Sequence, residues 1–299
     1  MTFLDLFAGI GGFRLGMEMA GHECVGHCEM DRFAEKSYRA MHEPKKGEWS
    51  GGDIRTVGAA DLPRADAWCF GFPCQDISVA GKQRGFEGNR SGLFFTVTGL
   101  LRAIEKESRP KRLLVENVKN LISVNRGYDF ARLLVELDEI GYDAEWDVLN
   151  SKNFGVPQNR ERVYVVGHLR GRSGGKVFPL TGEGEATSHG QVKQIGNVMP
   201  TKTRDNPNQG RVYDTEGIAP CLNGMGGGGR EPMIVTDGQM VRKLTPRECF
   251  RLQGFPDEYF ERAAAVNSDT QLYKQAGNSV TVNVIYEIAK RMECKEETK

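Results

Sequence analysis

Of the seven cysteines in the chain, Cys74 has the setting of a nucleophile. It lies in Gly71-Phe72-Pro73-Cys74-Gln75, directly after a short apolar run at residues 66–70, and the ring of Pro73 fixes a backbone angle that helps to aim the thiol. Lys82, Arg84 and Arg90 follow in the same polar, glycine-bearing loop, and thiolate character needs such positive surroundings. Cysteines are more often inert and buried than reactive. Cys24, Cys28, Cys69, Cys221, Cys249 and Cys294 lack a basic setting and are expected to be of that inert kind. Glu116, in Glu116-Asn117-Val118, ends an apolar strand at 112–115, where partial desolvation favours the neutral, proton-donating carboxyl. It reads equally well as one more polar residue at a strand end. Arg160 and Arg162, in Gln158-Asn159-Arg160-Glu161-Arg162, are two apart, so an extended chain points both the same way, as a clamp for an anion or a base. A salt-bridged surface strand accounts for them too. Metal binding is not expected, because Cys24-x3-Cys28 and Cys69-x4-Cys74 lie on strands or their edges and no second Cys/His pair has ligand spacing.

A second set of residues has the form of a cofactor site. Gly9, Gly11 and Gly12 make a turn after the apolar run 2–7, and Glu29 lies twenty residues after Gly9. Glycines let the backbone approach a ligand closely, and an acid at that distance accepts hydrogen bonds from ribose hydroxyls. Strict dinucleotide spacing wants glycine at position 14, which is Arg14. An adenosine-bearing cofactor without phosphates therefore fits better, and S-adenosylmethionine is the common one. Asp53, after Gly51-Gly52, can accept from an adenine amino group. A plain tight turn and a solvated acid would explain the same residues without a ligand.

The elements that must position these groups alternate. Strands are expected at 2–7, 23–28, 66–70, 112–115, 144–149 and 163–167, and helices at 13–20, 32–41, 93–106 and 130–140. That order predicts an α/β, doubly wound, mostly parallel sheet, with ligands outside the carboxyl ends of its strands. From about 170 to 240 the chain is rich in Gly, Pro, Asn and Thr, with Val192, Ile195, Val198, Val212, Ile218, Leu222, Ile234 and Val235 to supply short strands of a small irregular domain. Thr245-Pro246-Arg247-Glu248 is a capping box that restarts helix, and Val284, Ile285, Ile288, Ala289 and Met292 give a last helix one apolar face.

Composition narrows the classes. At 299 residues, 27% charged and 39% hydrophobic, the chain is long enough for a sizeable core and unlike a disordered or fibrous sequence. No apolar run approaches the roughly 20 residues of a membrane span. Met1-Thr2-Phe3-Leu4-Asp5 lacks the regions of a signal peptide, and an odd cysteine count without repeated spacing points to a reducing, cytoplasmic setting. The 40 Lys+Arg balance 40 Asp+Glu, which excludes a uniformly basic coat but not a local basic cleft.

Six motifs occur in order: Asp5-Leu6-Phe7-Ala8-Gly9-Ile10-Gly11-Gly12-Phe13; Gly71-Phe72-Pro73-Cys74-Gln75-Asp76-Ile77-Ser78; Glu116-Asn117-Val118; Gln158-Asn159-Arg160-Glu161-Arg162; Arg247-Glu248-Cys249-Phe250-Arg251-Leu252-Gln253-Gly254-Phe255-Pro256; and Gln275-Ala276-Gly277-Asn278-Ser279-Val280. The series resembles the DNA (cytosine-5) methyltransferases of bacteria and phages, over essentially the whole chain apart from the stretch after residue 170. The resemblance implies the S-adenosylmethionine-dependent methyltransferase fold. It also implies that the Cys74 thiolate attacks C6 of a flipped-out cytosine, that Glu116 holds and protonates N3, and that Arg162, with Arg160, steadies the O2 edge. C5 then takes a methyl group from S-adenosylmethionine and loses its proton. Phe7, Gly9, Gly11 and Gly12 would line the methionine end of that cofactor; Glu29 would take the ribose, Met30 the adenine face, and Asp53 with Ile54 the adenine edge; Leu93, Asn278 and Ser279 would close the pocket.

By the same resemblance the catalytic domain covers 1–170, target recognition 171–272, and 273–299 returns to the first domain. The loop with Ser78, Lys82, Arg84 and Arg90 would close over double-stranded DNA as a lid. In the recognition stretch the family's Thr-Leu pair corresponds to Cys221-Leu222, and Leu222, Arg230, Arg211 and Lys202 are candidate DNA contacts. A monomer in a bacterial cell or phage-infected host is expected, in a restriction-modification system with a cognate endonuclease acting separately. An RNA-directed cytosine methyltransferase and a catalytically inactive DNA-binding relative remain alternatives.

Overall fold

In the computed structural model the described residues are 1–73, 92–172, 175–180, 191–201, 204–224, 230–236 and 240–292. Seven strands build the main sheet: β1 (Thr2–Leu6), β2 (Glu23–Cys28), β3 (Trp49–Gly51), β4 (Ala67–Gly71), β5 (Arg112–Val118), β6 (Tyr142–Asn150) and β7 (Glu161–Leu169). Their spatial order is β3-β2-β1-β4-β5-β7-β6. The first five run parallel, and β7 is antiparallel to both its neighbours. The sheet is thus mostly parallel, as the alternation predicts. The antiparallel strand follows from the linker 151–160, which contains no crossover helix and turns the chain straight back beside β6. β3 has only three residues, too few to show a period in the sequence.

Both faces of the inner strands β1, β4, β5 and β7 are largely buried, so these strands read as apolar runs. Leu4, Leu6, Trp68, Phe70, Leu113, Val115, Val163 and Val165 point to one face, against α3 (Leu93–Ala103) and α4 (Tyr128–Glu139). Phe3, Ala67, Cys69, Leu114, Tyr164 and Val166 alternate with them and point to the other, against α1 (Gly12–Met19) and α8 (Val282–Arg291). The last helix therefore packs on the first layer, through Val284, Ile285 and Ile288.

A small second sheet holds β8 (Gln194–Asn197), β9 (Arg211–Tyr213), β10 (Met233–Val235) and β11 (Val241–Lys243), in the order β11-β10-β9-β8. The remaining helices are α2 (Arg32–His42), α5 (Pro246–Leu252), α6 (Asp257–Ala264) and α7 (Asp269–Asn278). α5 begins on the expected capping box: the Glu248 amide donates to Thr245 Oγ1 at 3.2 Å, and the Thr245 amide donates to Glu248 Oε2 at 2.7 Å. Cys249, Phe250, Leu252, Ala263, Leu272 and Ala276 form a third cluster with Ile10, Leu15 and Met41. Helices α5 and α6, expected within the small domain, thus pack on the α1–α2 side of the main sheet.

Candidate active site

The carboxyl ends of β1, β2 and β3 meet at one edge. The Ala8 amide donates to the Cys28 carbonyl at 3.0 Å, and the Glu29 amide to the Gly51 carbonyl at 3.0 Å. There the chain turns through left-handed conformations at Phe7 (φ 55), Gly9 (φ 57) and Gly11 (φ 77). At Phe7, which has a Cβ, this costs about 1–2 kcal/mol, a strain of the kind found at ligand sites. Glu29 braces the turn: its Oε2 accepts from the Gly9 amide at 2.7 Å and its Oε1 from the Asp31 amide at 2.6 Å. Burial nevertheless raises the Glu29 pKa, the two amide bonds opposing that rise.

The three glycines divide by what faces them. A Cβ at Gly9 would meet nothing within 4 Å, so Gly9 borders open space. A Cβ at Gly11 would strike the His42 ring, and one at Gly12 would lie 2.7 Å from Val280 Cγ2 and 2.8 Å from Ser279 Oγ. Gly12 therefore admits the returning segment before α8. Met30 is 66% exposed beside the turn, an apolar side chain with a face free for a flat ring. Asp53 accepts from the Arg55 amide at 3.0 Å and ion-pairs with Arg55 Nη2 at 2.6 Å, which lowers its pKa. Two residues depart from expectation. The Ile54 side chain is core, packed in one cluster with Phe70 and Phe94, and Ser279 is buried, its hydroxyl donating to the Val280 carbonyl at 3.1 Å. Leu93 is half-buried at the start of α3, and Asn278 is exposed. Open space at Gly9, the acid at Glu29 and the bare Met30 together fit an adenosine-bearing cofactor.

The second half of the site lies at the ends of β4, β5 and β7. Gly71 stands opposite Glu116 in register, and a Cβ there would lie 3.0 Å from Glu116 Oε2. Asn117 Nδ2 donates to the Phe72 carbonyl at 3.0 Å, holding the chain as it leaves the sheet. Cys74 begins two residues beyond Phe72, and Cys74, Ser78, Lys82, Arg84 and Arg90 lie outside the described residues, as does Lys202.

Arg162 Nε ion-pairs with Glu116 Oε1 at 3.0 Å. Burial raises the Glu116 pKa, and the Arg162 and Arg160 guanidiniums only partly oppose it. A largely enclosed carboxyl with a raised pKa, anchored beside a cation, is placed to donate a proton.

Arg160 does something else. It is 3% exposed, and its guanidinium donates to the carbonyls of Leu222 at 2.8 Å, Ser279 at 2.6 Å and Gly277 at 3.3 Å. The expected contact of Arg160 with a base gives way to a tie between β7, the segment at Leu222 and the segment before α8. Leu222, expected at the DNA, is 0% exposed. Its amide donates to Gln158 Oε1 at 3.0 Å, while Gln158 Nε2 donates to the Leu252 carbonyl at 2.7 Å. Arg230 is exposed, and Arg211 is half-buried in β9, with Nη2 3.5 Å from the Asn206 carbonyl.

Cys221 departs from the inert, buried kind expected of it. Cys221 is exposed and lies between the two arginines, its Sγ 3.5 Å from Arg160 Nη1 and 3.6 Å from Arg162 Nη2. The nearest basic residue in sequence gives no sign of this, because both arginines arrive from another strand.

An open, mostly parallel sheet with a glycine turn after its first strand and an acid ending its second is the frame of a cofactor-dependent α/β enzyme. The family model of the C-5 cytosine-specific DNA methylases matches residues 1–209 and 181–294, so the chain belongs to that family and is a DNA cytosine-C5 methyltransferase. It is 36% identical to the type II methyltransferase M.HhaI of Haemophilus parahaemolyticus, covering 97% of this chain and 93% of that one. It is 37% identical to M.NlaX of Neisseria lactamica, covering 97% and 95%. Among solved structures, S. pombe Dnmt2 methyltransferase superposes with a TM-score of 0.73 at 20% identity, covering 97% of each chain. The Entamoeba histolytica methyltransferase EhMeth gives 0.74 at 18% identity, covering 98% and 97%. Both likenesses concern the fold. Among the described residues no helix is long and apolar enough to cross a membrane.

Proposed function

We propose that the chain methylates one short duplex DNA sequence through a covalent adduct between Cys74 and C6 of a flipped-out cytosine, with Glu116 as the acid at N3 and Arg162 as its anchor. The observation that carries this reading is the Glu116–Arg162 pair, 3.0 Å apart, beside the glycine from which the Cys74 segment departs. The thiolate adds to C6 while Glu116 gives its proton to N3, so that charge entering the ring is neutralised as it forms. C5 thereby becomes a carbon nucleophile. S-adenosylmethionine, when bound, supplies an electrophilic methyl group. Glu29 would take its ribose, Met30 and Asp53 its adenine, and the Phe7–Gly12 turn its methionine end. Loss of the C5 proton then expels the thiol and restores the aromatic base. Target bases inside a duplex are out of reach of Cys74, and flipping brings them to it.

In this reading residues 1–170 and the returning segment from 273 form the catalytic part. Residues 171–272 include the target-reading sheet β8–β11, with Arg211 and Arg230 facing DNA and Ser78, Lys82, Arg84 and Arg90 on the lid. The enzyme acts as a monomer in the cytoplasm of a bacterial or phage-infected cell. The type II designation of M.HhaI and M.NlaX supports a restriction-modification role with a separate endonuclease.

A duplex carrying 5-fluorocytosine at the target tests the adduct, because fluorine at C5 cannot leave as a proton does. The chain should become trapped on that duplex in a denaturant-stable complex, and Cys74→Ser should abolish trapping. Trapping that survives Cys74→Ser would refute the assignment.

A further inference from the structure

The described cysteines fall into two groups. Cys24, Cys28, Cys69 and Cys249 are buried. Burial pushes the thiols of Cys24, Cys28 and Cys249 up to about 12, and that of Cys69 well above its ordinary value. These thiols stay protonated and unreactive.

Cys221 is exposed, and its sulfur is held against two guanidiniums, 3.5 Å from Arg160 and 3.6 Å from Arg162. Arg160 is itself 3% exposed, and its Nε has no hydrogen-bond partner. The Arg160 nitrogen nearest the sulfur, Nη1, also donates to the Leu222 carbonyl at 2.8 Å, so the cation is fixed beside it. The sulfur also approaches the Leu222 carbonyl, at 3.4 Å. Among the described residues the groups facing it are Arg160, Arg162 and, behind Arg162, the Glu116 carboxyl. Crowding around the thiol disfavours its ionisation, but the two arginines outweigh that and bring its pKa below the ordinary thiol value. A surface cysteine whose sulfur lies against two guanidiniums has the properties of an oxidant-sensitive site.

We propose that Cys221 is a redox modification site, oxidised to a sulfenic acid by peroxides. The thiolate sulfur attacks one peroxide oxygen; an S–O bond forms, the O–O bond breaks, and hydroxide leaves and takes a proton as water. Sulfur loses two electrons and the peroxide gains them. The arginines stabilise the thiolate and then the sulfenate oxygen. Two thiol equivalents reverse the step: the first condenses with the sulfenic acid to a mixed disulfide and water, and the second displaces Cys221 as its thiol, leaving the reductant as a disulfide. The added oxygen occupies the space between Cys221 and Arg162, so oxidation also loosens the anchor of Glu116 and weakens the grip on DNA. This last consequence rests on the reading of Glu116 and Arg162 as active-site residues, whereas the modification itself does not.

The test exposes the full chain to hydrogen peroxide with dimedone as the sulfenic-acid trap, followed by peptide mass mapping. Cys221 should be labelled at least about tenfold faster than Cys24, Cys28, Cys69 and Cys249, and Arg162→Gln should slow its labelling about tenfold. In a Cys74→Ser background, peroxide should weaken binding to a duplex containing the methylated sequence. Dithiothreitol should restore it, and the Cys74→Ser/Cys221→Ser double variant should be insensitive. Labelling of Cys221 no faster than the buried cysteines, or unaffected by Arg162→Gln, would overturn the site. Labelling without loss of DNA binding would overturn the regulatory consequence.

Discussion

Glu116 and Arg162 sit on adjacent antiparallel strands, two residues out of register, and their side chains close a 3.0 Å ion pair at the end of the sheet. Glu116 stands opposite Tyr164 and Arg162 opposite Val118, so both side chains leave the same face. The arginine does not bring the Glu116 pKa down to its ordinary value: burial outweighs it, and the pKa stays raised. A carboxyl in that state donates a proton over a wider pH range than a free glutamate.

Glu116→Gln keeps the shape and removes the proton. Methyl transfer should fall about 10²- to 10⁴-fold, far more than duplex affinity falls, as single-turnover and binding assays would read separately. In the parent enzyme the rate should decline as pH rises through the elevated Glu116 value, and the substitution should abolish that limb. The sign for stability is the same: the folded chain binds the proton more tightly than the unfolded one, so ionising Glu116 costs stability from about pH 4.5 up to its raised value.

Arg160 should behave as a structural tie. Arg160→Ala leaves the carbonyls of Leu222, Gly277 and Ser279 without their donor and opens a cavity. A loss of about 3 kcal/mol in unfolding free energy is expected. Arg160→Lys should recover only part of it, because an ammonium cannot span the fork. Arg162→Ala, by contrast, should depress turnover far more than the urea midpoint.

Gly9 and Gly12 separate two reasons for glycine. Gly12→Ala drives a Cβ to 2.7 Å from Val280 Cγ2 and should destabilise the seat of α8 by about 1–3 kcal/mol. Gly9→Ala meets nothing, but its φ of 57 adds about 1 kcal/mol of strain, and the new methyl enters the cofactor space. Thermal melts should show the larger loss for Gly12→Ala. Cofactor titration should show the larger rise in Kd for Gly9→Ala.

Glu248 caps α5 and ion-pairs with Arg242 at 2.8 Å, which together lower its pKa to about 2. Its contribution is complete above the unfolded value of 4.5 and is lost as pH falls toward 2. Glu248→Ala should cost about 1 kcal/mol at pH 7, and the difference from the parent chain should vanish in acid.

The sheet was largely legible because its inner strands are apolar on both faces and bounded by turns; β2 runs over Glu23–Cys28 as its sequence pattern indicates. The helix-free return that makes β7 antiparallel leaves no such trace, and neither does the three-residue β3. At the site, residue types conveyed chemistry but not which neighbour each group would meet. Arg160 and Arg162 have the same type and similar spacing to Cys221, yet one is spent on three carbonyls and the other on Glu116. Cys221 itself gained its cationic wall entirely from tertiary contact.

Bisulfite sequencing of DNA from cells expressing the chain tests the central claim most directly. Cytosines protected from conversion should appear at one short duplex sequence, and Cys74→Ser should remove them. DNA that converts fully, with methyl label entering transfer RNA instead, would contradict the account.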